Sequence, residues 1–186
     1  PIGVAGASPG SDTLKLVGER GYIPMSLGLN EVYVASHWDA VMEGAMNKGK
    51  TPPSRREWRI VRDIWVAETD EKAREGAIKG MLGRVWEEYL LPLFSNGAYP
   101  FVTYMKHDQS LQDEDVTIDY MLDNLWVVGS PDTVIEKLQS LYHTVGGFGH
   151  LLWLTYDHSE QSEAYETSMR LLAEKVMPKL SSLTGE

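Results

Sequence analysis

The feature that most constrains the fold is an apolar run near the end of the chain. Residues 148–156 read Phe-Gly-His-Leu-Leu-Trp-Leu-Thr-Tyr and are almost continuously apolar. Such a run is typical of a strand that is buried on both faces of its sheet. Sheets of that kind consist of parallel strands with helices packed on either side. The run therefore predicts an α/β fold with a parallel sheet covered by helices.

Segments with strand character alternate with segments whose apolar residues recur at helical spacing. The strand segments are residues 3–6, 22–29, 58–67, 125–128 and 148–156, and the helical segments are residues 13–20, 30–49, 70–94, 116–124, 131–145 and 160–180. Pro24 is awkward within the second strand. We expect a single domain over residues 1–186 with four βα units, which is half the ring of a (β/α)8 barrel.

Residues 95–115 interrupt the alternation with glycine, proline, aromatic residues and an acidic end. We expect an excursion that lies over a site or an interface, and not an element of the core. A disordered segment would have the same composition. As a lid or substrate wall, the excursion would use the side chains of Tyr99, Phe101, Tyr104, Met105 and His107.

Composition argues against several classes of protein. The chain has 17 basic and 27 acidic residues, a net charge of −10 and no basic cluster longer than Arg55-Arg56, so nucleic acid is not an expected partner. The absence of cysteine excludes disulfides and thiolate metal sites and favours a cytoplasmic protein. No apolar run approaches the roughly 20 residues of a membrane helix. The five histidines show no metal-ligand spacing, so no metal is expected.

The first strand leads into a candidate anion site. Ser8 and Pro9 offer an N-cap hydroxyl and a proline for the first helical position, so we expect a helix to begin there. Its free N–H groups and the hydroxyls of Ser8 and Ser11 would face a phosphate, and Gly10 would allow a close approach. Ordinary helix capping explains the same residues.

The same pattern recurs at residues 129–133, Gly-Ser-Pro-Asp-Thr. Here an acidic residue, Asp132, follows the proline and would repel a phosphate at this helix end. We therefore interpret Ser130 as a helix cap only.

Four motifs occur in a characteristic order along the chain. They are residues 5–9, His37-Trp38 followed by Glu43-Gly44, residues 58–62 leading into residues 66–74, and residues 128–134 followed by residues 147–149. In this order they resemble the C-terminal half of the bacterial-luciferase-like flavin monooxygenases, and the resemblance covers almost the whole chain. It implies strands 5–8 of a TIM-like barrel.

The resemblance implies an enzyme that uses reduced FMN and O2 to oxygenate a small organic substrate. In that family the segment after the fifth strand holds the FMN phosphate. The corresponding residues here are Gly6, Ala7, Ser8, Gly10 and Ser11. The polar groups that the family's first four strands place near the flavin ring have no match in this chain, which begins at Pro1 as though an upstream part preceded it. We therefore expect an incomplete active site and assign no catalytic residue.

Two other functions remain open. A deazaflavin (F420)-dependent oxidoreductase would use the same barrel without O2, and a non-catalytic protein would bind flavin or a partner without turnover. As partners we expect a flavin reductase, or the N-terminal half of the barrel, and a homo-oligomer formed through the open edges of half a ring.

Asp157 and His158 follow the last strand, where the loops of a barrel line the mouth of the active site. We expect them to line the substrate pocket, and a simple turn is the alternative. His37 shares the apolar face of its helix and is expected to pack beside Trp38.

Two arginines, Arg59 and Arg62, lie three positions apart on the third strand and so face opposite sides of the sheet. We expect one to form an outward ion pair with Asp63 or Glu68, and the other to point inward, where it could meet an anion.

Overall fold

The computed structural model describes residues 1–96 and 101–184. Their contacts form two compact units. The first unit consists of Pro1–Arg62 and Leu141–Trp153, and the second consists of Asp63–Ser140 and Leu154–Glu186.

Strands and helices alternate over most of the described residues. The strands are β1 (Gly3–Gly6), β2 (Ile23–Ser26), β3 (Arg59–Val66), β4 (Val127–Gly129) and β5 (His150–Leu154). The helices are α1 (Asp12–Arg20), α2 (Glu31–Asn47), α3 (Asp70–Lys79), α4 (Met81–Val85), α5 (Leu91–Asn96), α6 (Ile118–Asn124), α7 (Pro131–Thr144), α8 (Ser162–Leu171) and α9 (Met177–Thr184).

The sheet of the first unit has the strand order β1-β2-β3-β5. β1 pairs with β2, and β2 with the start of β3, in parallel. In the second unit, the end of β3 pairs in parallel with β4, which is three residues long. The predicted α/β class with parallel strands is confirmed. The five strands correspond to the five strand segments expected from the sequence, and β4, which was expected over residues 125–128, is the shortest of them.

The proline in β2 is tolerated because of where its missing N–H would point. Along a parallel strand, alternate N–H groups face opposite neighbours. The N–H groups of Ile23 and Leu27 donate to the carbonyls of Ile2 and Gly6 on the β1 side. The nitrogen of Pro24 therefore faces the β3 side, where pairing begins only at Met25.

Glycines bring α1 and α2 into backbone contact in the first unit. A Cβ added to Gly18 of α1 would lie 2.0 Å from the Val41 carbonyl oxygen, and one added to Gly44 of α2 would lie 1.9 Å from the Lys15 carbonyl oxygen. Both distances are far below any real contact. The two helices can therefore pack this closely only with glycine at these positions.

The second unit is built around buried aromatic and aliphatic side chains. They include Trp65 of β3, Trp86 and Trp126, with Ala73 and Ala77 of α3. Residues of the 95–115 excursion belong to this core as well, since Val102 is 0 % and Met105 2 % exposed. The expectation that the excursion lies outside the core is wrong for the part that the structure describes. Tyr99 lies outside the described residues.

Two further expectations about elements are corrected. The helix predicted over residues 70–94 is divided, because Gly80 adopts an extended conformation (φ −91°, ψ −171°) between α3 and α4. A Cβ on Gly80 would lie 2.0 Å from Oε1 of Gln161, so this side chain fills the space at the break. β5 was expected to be buried on both faces, but its residues are half-buried or exposed.

The close packing of α1 on α2 gives a stability prediction. Gly18→Ala should lower the free energy of unfolding by about 2 kcal/mol, because overpacking against rigid backbone outweighs the higher helix propensity of alanine. Urea unfolding monitored by circular dichroism measures the change. Met46→Ala, at a 61 % exposed position of α2, is the control and should change it by less than about 0.5 kcal/mol. A stabilising Gly18→Ala would contradict the observed packing.

Candidate functional site

The candidate anion site lies where β1 ends and α1 begins, in the first unit. The helix was predicted to begin at Ser8-Pro9, but it begins at Asp12 with Ser11 as its N-cap. The physical reason is Gly10, whose φ of +58° lies in the left-handed region and is incompatible with a continuous helix. Residues 8–10 therefore form a turn ahead of the helix, which we call the Ser8 turn.

The Ser8 turn offers polar groups with and without partners. The Gly10 N–H donates to the Ser36 hydroxyl at 3.1 Å, so it is already used within the protein. The Ser8 hydroxyl has no hydrogen-bond partner within residues 1–96 and 101–184, and its residue is half-buried. No atom lies within 4 Å of the position that a Cβ on Gly10 would take. The turn therefore presents a hydroxyl and open space on the same short segment.

The N-terminus of α1 adds N–H groups to this segment. No side chain caps the helix, so the N–H groups of its first turn at Asp12 and Thr13 remain available to an outside acceptor. The Ser11 hydroxyl is 2.7 Å from the Thr13 hydroxyl, which donates to the Ala5 carbonyl at 3.0 Å. Chemically, the hydroxyl of Ser8 and these N–H groups suit an anion.

The predicted anion-site residues differ in accessibility. Gly6 and Ser11 are buried, Ala7 and Ser8 are half-buried, and Gly10 is exposed. A Cβ on Gly6 would lie 2.4 Å from the Leu14 side chain, so Gly6 permits the close packing of α1 on the strand end. The assignment of these five residues to phosphate binding stays a prediction.

The second Ser-Pro motif has the predicted capping role. α7 begins at Pro131, and Asp70 of α3 lies at its N-terminus, within the second unit. The Ser130 N–H donates to Asp70 Oδ1 at 2.6 Å, and the Thr133 hydroxyl donates to Oδ2 at 3.1 Å. The bond from the Ser130 N–H is the main cause that lowers the pKa of Asp70. A carboxylate of the protein thus occupies the anion position of α7.

This finding changes the reason why the two helix ends differ. An acidic residue, Asp132, lies in the first turn of α7. Because α1 begins at Asp12, its first turn also contains an acidic residue. An acidic first turn therefore does not distinguish the two helix ends. The contacts separate them, since Asp70 accepts hydrogen bonds at the α7 end and no side chain caps the α1 end.

A buried histidine, His37, is hydrogen-bonded to the backbone of the Ser8 turn. His37 of α2 is 0 % exposed, and its Nε2 is 2.9 Å from the Ser8 carbonyl oxygen. Its Nδ1 is 2.9 Å from the hydroxyl of Ser26 in β2. Sequence reasoning predicted only packing beside Trp38 and missed this role. The available signal was the position of His37 on the buried face of α2 opposite a polar residue in a strand.

Asp157 and His158, the predicted pocket residues, lie in the second unit. Asp157 accepts a hydrogen bond from the Ser159 N–H at 3.0 Å, which forms a tight turn. The His158 ring stacks on Tyr165 at 4.5 Å, and burial lowers its pKa, which favours the neutral ring. Both residues line a cavity of about 200 Å³ together with Lys79 and Arg84. Their role toward a substrate stays a prediction.

The two arginines of β3 are placed differently from each other, as expected. Arg62 is 2 % exposed and donates to the Val61 carbonyl at 2.9 Å. Arg59 forms an ion pair with Glu57 at 3.8 Å, and not with the expected Asp63 or Glu68. Glu57 lies in the helical turn just before β3, within reach of the Arg59 side chain.

Asp63 is buried in the second unit and is bonded to an aromatic hydroxyl. The Tyr156 hydroxyl donates to Asp63 Oδ1 at 2.8 Å, and burial is the main cause that raises the pKa of Tyr156.

Among the described residues, no group of three or more histidine, aspartate or glutamate side chains is arranged to hold a metal ion.

Comparisons with known proteins give the relationship of the chain. No protein-family model matches it. It is 32 % identical over 180 residues to 2,5-diketocamphane 1,2-monooxygenase 1 of Pseudomonas putida, covering 96 % of this chain and 49 % of that protein. The chain is a homologue of the diketocamphane monooxygenases. These are luciferase-like enzymes, so the resemblance to that family is confirmed.

Solved structures give the same relationship. The oxygenating constituent of 3,6-diketocamphane monooxygenase from the CAM plasmid of Pseudomonas putida, a type II Baeyer-Villiger monooxygenase in complex with FMN, matches with a TM-score of 0.88 and 30 % identity. The match covers 96 % of this chain and 48 % of that structure. The chain thus spans about half the length of the relatives that it matches.

A more distant neighbour shares the fold alone. The coenzyme F420-dependent tetrahydromethanopterin reductase of Methanopyrus kandleri matches with a TM-score of 0.56 and 19 % identity. The structural neighbours are TIM-barrel enzymes.

No helix within residues 1–96 and 101–184 is long and apolar enough to cross a membrane.

The bonds at the α7 N-terminus give a pH prediction. The pKa of Asp70 is lowered in the folded protein, so its contribution to stability is present above the ordinary aspartate pKa of about 3.9 and is lost as the pH falls through the lower, folded value. At pH 7, Asp70→Asn should cost about 1 kcal/mol, the size of a capping interaction. Urea unfolding between pH 7 and pH 2.5 should show this difference shrinking below about pH 4.

The control for this prediction is Asp132→Asn, which removes a charge from the same helix end. It should change the free energy of unfolding by less than about 0.5 kcal/mol. A difference for Asp70→Asn that stays constant down to pH 2.5 would show that the carboxylate does not hold the Ser130 N–H.

The conformation of Gly10 gives a second stability prediction for this region. Gly10→Ala should lower the free energy of unfolding by about 1 kcal/mol, because an L residue is strained at a φ of +58°. There is no steric contribution, since the position is open. Gly10→Asn should cost less, because asparagine tolerates this conformation. Equal losses for the two variants, measured by thermal unfolding, would contradict the strain argument.

Proposed function

We propose that the chain is part of an FMN-dependent monooxygenase and carries the phosphate anchor of the flavin. The observation that supports this most directly is the uncapped α1 N-terminus beside the Ser8 turn, in a chain that matches an FMN-bound enzyme with a TM-score of 0.88. When bound, reduced FMN would react with O2, and the protein would bind, orient and shield the flavin.

The residues of the Ser8 turn fit the phosphate end of FMN. In the proposed arrangement the Ser8 hydroxyl and the N–H groups of Asp12 and Thr13 donate to phosphate oxygens, and the positive end of α1 faces the charge. The open space beside Gly10 admits a phosphate oxygen. Gly6, Ala7 and Ser11 contribute by holding the backbone in place.

The substrate in this proposal is a small organic ketone. Baeyer-Villiger monooxygenases insert an oxygen atom beside a carbonyl group, and relatives at 30–32 % identity act on diketocamphanes. Asp157 and His158 are proposed to contribute one wall of its pocket. His158 suits this role because its buried Nδ1 has no hydrogen-bond partner among the described residues.

The proposed partners follow from the same relatives. The matched 3,6-diketocamphane enzyme is described as an oxygenating constituent, so we propose that a separate flavin reductase supplies reduced FMN. The remaining half of the barrel and a homo-oligomeric state are parts of the proposal, as is a cytoplasmic location. Deazaflavin chemistry is the weaker alternative, because its representative here shares the fold at only 19 % identity.

The anchor predicts a difference between two flavins. The wild-type chain should bind FMN at least tenfold more tightly than riboflavin, which lacks the phosphate. Ser8→Ala should weaken FMN binding about tenfold, the size of a hydrogen bond to a charged group, and leave riboflavin binding unchanged. Titration followed by flavin fluorescence measures both affinities.

The matched control is Ser130→Ala, which removes the hydroxyl of the other Ser-Pro motif. It should leave FMN binding unchanged, because Asp70 already occupies that helix end. Equal affinities of the wild-type chain for FMN and riboflavin would contradict the phosphate anchor. Tighter binding of F420 than of FMN would favour the deazaflavin alternative.

A further inference from the structure

His37 makes hydrogen bonds with both ring nitrogens although it is fully buried. Nε2 faces the Ser8 carbonyl oxygen at 2.9 Å, and Nδ1 faces the Ser26 hydroxyl at 2.9 Å. The Ser26 hydroxyl also accepts a hydrogen bond from Trp58 Nε1 at 2.8 Å. A chain of hydrogen bonds therefore runs from the interior of the first unit to the Ser8 turn.

The donor and the acceptor of each hydrogen bond in this series follow from the chemistry of the groups. A carbonyl oxygen only accepts hydrogen bonds, so Nε2 of His37 must carry a proton and donate a hydrogen bond to the Ser8 carbonyl. In the neutral ring Nδ1 then accepts, and the Ser26 hydroxyl is its donor. Burial is the largest cause that lowers the pKa of His37, which favours this neutral form. The hydrogen bond to the Ser8 carbonyl thus fixes the neutral tautomer of His37 in which Nε2 carries the proton.

The neighbouring residue of α2 makes a second bond to the same turn. The Ser36 hydroxyl accepts from the Gly10 N–H at 3.1 Å and donates to the Tyr33 carbonyl at 2.6 Å. Consecutive residues of α2 therefore hold the turn at two points, a carbonyl at Ser8 and an N–H at Gly10. The carbonyl of Ser8 is directed toward His37 and is engaged by a donor of the protein.

We propose that His37 is a positioning residue for the phosphate anchor. By binding the Ser8 carbonyl, it removes a repulsive acceptor from the anion site and keeps the Ser8 hydroxyl and the α1 N–H groups ordered before the ligand arrives. Binding then avoids the entropic cost of ordering the turn. This inference rests on the proposed function, and it assigns His37 no contact with the flavin.

Two substitutions separate the two bonds of His37. The amide nitrogen of glutamine can take the place of Nε2, so His37→Gln should keep donation to the Ser8 carbonyl. The shorter asparagine reaches only the place of Nδ1, so His37→Asn should keep the bond to Ser26 and lose the bond to Ser8. Trp58→Phe, which removes the N–H donor to Ser26 and leaves the Ser8 bond intact, is the control for core stability.

The experiment combines amide hydrogen exchange with flavin binding. In His37→Asn, the Gly10 amide, which donates to Ser36, should exchange about tenfold faster, FMN affinity should fall about tenfold, and riboflavin affinity should stay unchanged. His37→Gln and Trp58→Phe should resemble the wild-type chain in all three measurements. A merely structural role of His37 would lower FMN and riboflavin affinities together.

Each outcome decides a different part of the argument. Unchanged exchange in His37→Asn, or a parallel loss of both flavins, would overturn the positioning role while leaving the phosphate anchor intact. A wild-type chain that binds FMN no better than riboflavin would overturn the proposed function. In that case the exchange of the Gly10 amide would by itself show whether His37 orders the turn.

Discussion

The first unit depends on the close backbone approach that its glycines permit. Gly18 and Gly44 let α1 and α2 pack main chain against main chain, and Gly6 lets α1 approach the end of β1. This packing brings the turn at Ser8 within hydrogen-bond distance of Ser36 and His37. A helix pair held farther apart by side chains could not make those bonds, so the order of the anion site follows from close packing.

The two Ser-Pro motifs show how the same dipeptide at the end of a strand acquires different roles. At α7 the motif begins the helix, and Asp70 of a neighbouring helix accepts hydrogen bonds from the Ser130 N–H and the Thr133 hydroxyl. At α1, Gly10 delays the helix by several residues and no side chain caps it. A helix end whose N–H groups are already bonded has little to offer a ligand, whereas an uncapped one retains its capacity for an anion.

Homology and geometry support the proposed function in different ways. The relatives at about 30 % identity give the class of chemistry, and their length shows that this chain spans about half of such a protein. The geometry of the Ser8 turn supports the proposal that this half binds the phosphate end of the flavin. The resemblance implies that the polar groups near the flavin ring belong to the other half of the barrel, so the contribution proposed for the chain is binding and orientation.

The sequence by itself determined the α/β class, the parallel strands and the resemblance to luciferase-like enzymes, because apolar runs, helical spacing and the order of motifs are local properties of the chain. It also predicted an anion site at Ser8 and Gly10, which stays a prediction, but it did not predict the start of α1, the break at Gly80 or the bonds of His37. Those features depend on side chains distant in sequence, such as Ser26, and on space that folding closes. Only the tertiary structure decided them, since a buried hydrogen bond exists only after packing has brought donor and acceptor together and removed water.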